Sequence, residues 1–226
     1  MRLLLASKSP ARLATLVSAG ITPIVRVSDV DEPAVLARLA TEIDSPSPAD
    51  QVLALARAKR DAVVESLLGG SPIDEDGSDD LLLVGCDSML EIDGRMLGKP
   101  RVPEVAKERI REMRGTEASL WTGHAVARLR RDAGGAYSVA SRAERTASTI
   151  VRFGDIDDAE IDAYVESGEP LRVAGSFTID GLGGPFIAGV DGDHHSVVGI
   201  SLPLLRALGK ELGVFWPDLW DHRRSA

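Results

Sequence analysis

The chain has 226 residues, 44% of them hydrophobic, 27% charged and 4% aromatic, which is length enough for one large domain, or two small lobes, with a substantial core. Its formal net charge is −9, no basic block runs along it and aromatic stacking platforms are scarce, so nucleic acid is an unsuitable partner. The single cysteine, Cys86, excludes an internal disulfide framework, and no apolar run is long enough for a signal-peptide core or a membrane span. The expectation is a cytoplasmic protein with no membrane partner.

Leu3–Ala6 reads as a short buried strand, and Ser9 followed by Pro10 suits the start of a helix that Gly20 stops. Pro23 to Ser28 reads as a second strand. Asp31-Glu32-Pro33 opens a short helix, and a longer one spans about Ala49 to Leu68. Residues 69–80 are Gly-, Ser- and Asp-rich and read as a mobile acidic loop. Leu81 to Cys86 is a continuous apolar run, the pattern of a strand buried on both faces. Met89 to Leu97 alternates around Asp93-Gly94, a hairpin signal.

Glu104 to Arg114 has an amphipathic helical pattern with Val105, Ile110 and Met113 inside. Leu120–Leu129 and Ala147–Phe153 read as strands, joined by a hairpin loop over about 131–146. Asp157–Ser167 and Leu202–Leu212 read as helices, the second being the last, with a polar tail over 221–226. Strands and helices mix without strict alternation, so a mixed α/β sheet is expected rather than a doubly wound parallel one.

Several constellations could carry chemistry. In Ser7-Lys8-Ser9-Pro10-Ala11-Arg12 a strand turns straight into a helix N-terminus, where free N–H groups, hydroxyls and an Arg suit phosphate; an ordinary helix cap with a solvated Arg is the plainer reading. Lys59 shares a helix stripe with Val52, Ala56 and Val63, so it either aims into a polar cleft or snorkels at the stripe's edge. Asp87 ends a buried strand, where ligands commonly bind in α/β sheets, and could ligate a metal or take a proton from water; a turn cap is the alternative.

Asp31-Glu32 could complete an oxygen site for Mg²⁺ or Mn²⁺, or serve only the helix dipole. Gly98-Lys99-Pro100 presents one Lys on a turn. Cys86 reads as a small buried hydrophobe, and His194-His195 as a surface pair.

These pieces together resemble the Maf-like proteins, also called septum-formation inhibitors. The resemblance runs nearly end to end: LLLASKSPARLATL, VDEP at 30–33, LARAKR at 55–60, VGCDSML at 84–90, LGKP at 97–100, MRGTEASLWTGHAV at 113–126, SGEPLRVAGSFTIDGLGG at 167–184 and HSVVGISLPLL at 195–205. No one segment is specific, but their order is.

The resemblance implies a single Maf-like domain with an elongated mixed α/β fold, inosine-triphosphatase-like, with two lobes around a central cleft and often a homodimer. It implies a metal-dependent nucleoside triphosphate pyrophosphatase using Mg²⁺ or Mn²⁺. Matched residue by residue, the catalytic carboxylate is Asp87, the metal-binding carboxylates are Glu32 and Asp87, and the phosphate contacts are Ser7, Ser9, Arg12, Lys59 and Lys99. Departures from the family pattern fall at Ala11, where a second Arg is usual, at Ser88 for Thr, at Asp180 for Gln, at Val173 for Lys and at Ala118 for His. Ala11, Ser88 and Asp180 match positions linked to base choice, so the preferred base is not carried over. Two rival readings are a nucleotide-binding regulator of septation that needs no catalysis and a carboxylate-pair glycosidase, which the cationic set and scarce aromatics disfavour.

Overall fold

The computed structural model describes residues 1–71, 73 and 78–224. In chain order the elements are β1 (Arg2–Leu5), α1 (Pro10–Ser18), β2 (Ile24–Val25), α2 (Glu32–Glu42), α3 (Pro48–Leu68), β3 (Asp80–Ile92), β4 (Arg95–Leu97) and α4 (Pro103–Met113). They continue with β5 (Glu117–Arg131), β6 (Tyr137–Phe153), α5 (Asp158–Glu166), β7 (Ile187–Asp191), α6 (His194–Val198), α7 (Leu202–Glu211) and α8 (Asp221–Arg224). The sheet order is β2-β1-β3-β5-β6-β7, with β4 on β3. β1 runs parallel to β2 and to β3, whereas β4 is antiparallel to β3 and β7 to β6, so the sheet is mixed as expected.

Two compact units divide the chain. The first comprises residues 1–87, 123–146 and 202–226, and the second residues 88–122 and 147–201. In the first unit Leu3–Leu5 of β1 pairs with Leu82–Val84 of β3, and all six side chains have 0% exposure. That burial on both faces is why these strands read as unbroken apolar runs. Leu4, Leu81, Leu83, Ala127 and Leu129 of the sheet close against Val63, Val64 and Leu67 of α3. The core of the second unit gathers Leu90, Ile110, Met113, Val151, Ile161 and Phe177, with the Phe153 and Phe177 rings edge to face at 5.0 Å.

Local chemistry explains the boundaries. Ser47 caps α3 in a reciprocal box with Asp50, and Pro48 fills the first helical position, whose N–H would be orphaned anyway. The β3–β4 hairpin turns through Asp93 and Gly94, both at positive φ (49° and 77°), the requirement that makes Asp-Gly a hairpin signal.

Four expectations need correction. The hairpin loop expected over 131–146 shrinks to 132–136, because β6 already starts at Tyr137. Its first half is polar, but it is anchored: Tyr137 donates to the Ser78 carbonyl (2.9 Å), and Glu144 accepts from Arg57 (2.7 Å) and Arg60 (3.1 Å) of α3. β2 covers only Ile24–Val25, not Pro23 to Ser28, because its partner β1 ends at Leu5 opposite Val25. α7 is not the last helix, and the expected tail forms α8 at 221–224, where the Asp221 carboxylate accepts from the Thr22 amide (3.0 Å) and hydroxyl (2.7 Å). Val105 is only partly buried, and Ala106 takes the inward place on α4. Most of the acidic stretch around Asp74 lies outside the described residues. Among the described residues no helix is long and apolar enough to cross a membrane.

Candidate active site

Glycine decides where α3 lies in the first unit. A Cβ on Gly85 of β3 would strike the Ala56 carbonyl and stand 2.8 Å from the Arg60 amide nitrogen. A Cβ on Gly123 of β5 would strike the Val52 carbonyl and stand 2.8 Å from the Leu53 nitrogen. The helix backbone therefore rests directly on strand backbone at two points. Along a strand, residues two apart share a face, so Asp87 points to the side Gly85 offers to α3. Lys59, next to Arg60 on that helix, meets it.

Lys59 Nζ hydrogen-bonds Asp87 Oδ1 and lies 2.7 Å from Glu32 Oε1. Glu32 opens α2, whose start is fixed by the Asp31 carboxylate accepting the Ala34 N–H (3.0 Å). The Lys59 and Asp87 side chains are 12% and 11% exposed, and that of Glu32 is 48% exposed. Two carboxylates thus converge on one ammonium. A Gly85→Ala substitution should force α3 away from β3; overpacking of this kind costs about 1–3 kcal/mol, read as a lower urea midpoint at unchanged slope.

The turn after β1 supplies a second cation. Ser7 Oγ accepts from the Ser9 amide (3.2 Å) and from Arg12 Nη1 (3.1 Å), and Ser9 Oγ caps the Arg12 amide (3.4 Å). Ser7 and Arg12 are buried, at 7% and 8% exposure. Ala11 lies partly buried between Pro10 and Arg12.

Burial pushes the Asp87 carboxyl above the ordinary carboxylate range, and Glu32 adds to this, while Lys59 and Arg12 pull it back. If ionised Asp87 is the working form, activity rises with pH through that raised value. The acid limb of kcat/KM should therefore lie above that of an exposed carboxylate, a position measured in a pH–rate profile. Burial also pushes the Cys86 thiol up to about 12, so no thiolate is available near neutrality and the hydrophobic reading of Cys86 stands.

The donor set suits a divalent cation. Glu32 and Asp87 offer hard carboxylate oxygens close enough to share one ammonium, and two such ligands are the usual protein share of a Mg²⁺ site completed by phosphate and water. Among the described residues, one group of three candidate donors occurs, Asp193, His194 and His195. There Asp193 Oδ1 already accepts the His195 amide and lies 3.1 Å from His195 Nδ1.

The remaining expected residues belong to the second unit. Ser88 Oγ lies 2.9 Å from Thr122 Oγ1, whose hydroxyl also reaches the Ser196 carbonyl (3.1 Å). Lys99 is exposed, and the Gly98 carbonyl before it accepts from Arg109 (2.7 Å). Asp180 is exposed on the turn after Thr178. Sequence reasoning overlooked Glu169, whose carboxylate gathers that turn. Its signal was present in the closely spaced glycines at 181 and 183, which the carboxylate and Tyr164 approach too closely for a side chain.

Comparison with known proteins gives a match to the Maf-like protein family model over residues 2–212. A nucleoside triphosphate pyrophosphatase of Saccharopolyspora erythraea is 51% identical over 97% of this chain and 97% of its own length. One from Nocardia farcinica is 50% identical over 97% of both chains, and one from Leifsonia xyli subsp. xyli is 50% identical over 98% of both.

Proposed function

The chain belongs to the Maf-like protein family, and from that premise we propose that it hydrolyses nucleoside triphosphates to the monophosphate and pyrophosphate, with Asp87 taking the proton of the attacking water. The observation that carries this reading is the buried Asp87 carboxylate held by Lys59, with Glu32 on the same ammonium. Water adds to the α-phosphorus, the bond from that phosphorus to the α,β-bridging oxygen breaks, and pyrophosphate leaves with that oxygen. Asp87 accepts the water proton and returns it to solvent. Lys59, Lys99, Arg12 and the hydroxyls of Ser7 and Ser9 bind the phosphates, countering the repulsion that a chain of net charge −9 imposes on a polyanion.

Such pyrophosphatases are generally metal-dependent. Glu32 and Asp87 would hold Mg²⁺ or Mn²⁺, which when bound neutralises charge on the phosphates. Ala11, Ser88 and Asp180 are read as base-selecting positions. Asp180 is an acceptor-only group, which favours a base that offers an exocyclic amino group. The test is pyrophosphate release from a panel of canonical and modified nucleoside triphosphates, with either metal and with chelator. Release from some members that chelator abolishes is expected. Nucleotide binding without release from any member would replace this reading with that of a non-catalytic regulator.

A further inference from the structure

The turn that bears Asp180 is organised by one carboxylate. Glu169 Oε1 accepts from Thr178 Oγ1 (2.5 Å), Tyr164 Oη (3.1 Å) and the Gly183 amide (3.1 Å), while Oε2 accepts the Leu182 amide (3.1 Å). Tyr164 Oη in turn accepts the Thr178 amide at 3.2 Å. The glycines are cut to fit: a Cβ on Gly181 would stand 2.5 Å from Glu169 Oε2, and one on Gly183 2.5 Å from Tyr164 Oη. Burial would raise the Glu169 carboxyl, but the bonds from Thr178, Leu182, Gly183 and Tyr164 hold it below its ordinary value, so it is an anion that only accepts. At the tip, Asp180 and Leu182 are both exposed, Leu182 at 59%, an acceptor and an apolar group presented to solvent on a turn with little freedom.

We propose that Glu169 is a positioning residue for base selection: by tying Thr178, Leu182 and Gly183 to one carboxylate it fixes the turn that presents Asp180 and Leu182 to the nucleobase. This rests on the reading of Asp180 as a base-selecting residue. Glu169 touches no reacting atom in this account, so its loss should blur the choice of base and leave the phosphate chemistry of Asp87 in place.

The test is Glu169→Gln. The amide keeps the size but turns one acceptor into a donor facing N–H and O–H donors. The ratio of kcat/KM between the best and worst triphosphates should fall about tenfold, within the range that base-pocket contacts supply. KM for the best substrate should rise, with kcat changed less than about threefold. Amide hydrogen exchange at Leu182 and Gly183 should accelerate.

An unchanged substrate ratio with unchanged exchange would overturn the proposal. A parallel fall for every substrate together with a lower Tm would also overturn it, because that is the mark of a merely structural role. Should Glu169→Gln fail to fold, Tyr164→Phe removes one donor to Glu169 and the acceptor of the Thr178 amide, and should move the ratio the same way. Asp180→Asn serves as the control for the underlying reading. If it leaves base preference untouched, Asp180 does not select the base and the proposal falls with it, whereas faster exchange in Glu169→Gln would still stand as a fact about the turn alone.

Discussion

Asp87→Asn should yield a folded protein with kcat reduced about a hundred- to ten-thousandfold, the usual loss when a positioned proton acceptor is removed. Asn fills the same space and still accepts from Lys59, but it cannot take a proton, and as a neutral oxygen it ligates a cation poorly. The same substitution should not lower stability. Burial raises the Asp87 carboxyl above its ordinary value, so the native state binds this proton more tightly than the unfolded chain does. The ionised side chain therefore subtracts stability as pH rises from the unfolded value through the native one, and the subtraction is complete above the native value. Asn removes it, while Lys59 keeps Glu32 as its partner. Thermal unfolding at neutral pH should give a Tm for Asp87→Asn equal to or above that of the parent, the sign of a site that trades stability for chemistry.

Lys59→Met should be the second large loss. Its ammonium is what makes two carboxylates tolerable at the Asp87 position, and in the proposed function it also meets substrate phosphate. Removing one electrostatic contact of this kind costs about a hundred- to a thousandfold in turnover. The direction of the pH effect separates this variant from a general lesion. With Lys59 gone, one of the two cations holding the Asp87 carboxyl down is lost. The acid limb of the kcat/KM profile should then move to higher pH, and the variant's stability deficit should widen as pH rises and Asp87 ionises without its partner. Parallel pH–rate profiles and denaturation at two pH values check both statements. A limb that stays in place, or moves to lower pH, would mean that Lys59 does not govern Asp87.

Much of this arrangement was legible in the chain. The apolar runs of β1 and β3, the Ser9-Pro10 helix start and the Asp-Gly hairpin are local signals, and the folded protein respects each of them. The stripe of Val52, Ala56, Lys59 and Val63 turned Lys59 toward the sheet, and it ends on Asp87. What periodicity could not convey was distance. That Glu32 shares the Lys59 ammonium depends on how α2 follows the turn after β2. That Lys59 reaches Asp87 depends on Gly85 and Gly123 letting a helix settle on strand backbone, and a glycine within a strand announces a close approach without naming the partner. The first half of β6 reads as loop because its inward side chains alternate only weakly, Tyr137 and Val139 giving way to Ser141 and Ala143; Arg57 and Arg60, which anchor it through Glu144, lie 87 and 84 residues earlier in the chain. Glu169 escaped notice for a similar reason. A lone Glu in a Gly-rich stretch looks solvated until four donors are seen to face it.

Attack at the α-phosphorus is tested by hydrolysis of a good triphosphate in ¹⁸O-labelled water with Mg²⁺ or Mn²⁺, followed by product identification and location of the label. Monophosphate and pyrophosphate are expected, with the label in the monophosphate, since water attacks the α-phosphorus. Label in the pyrophosphate, or diphosphate and orthophosphate as products, would contradict it.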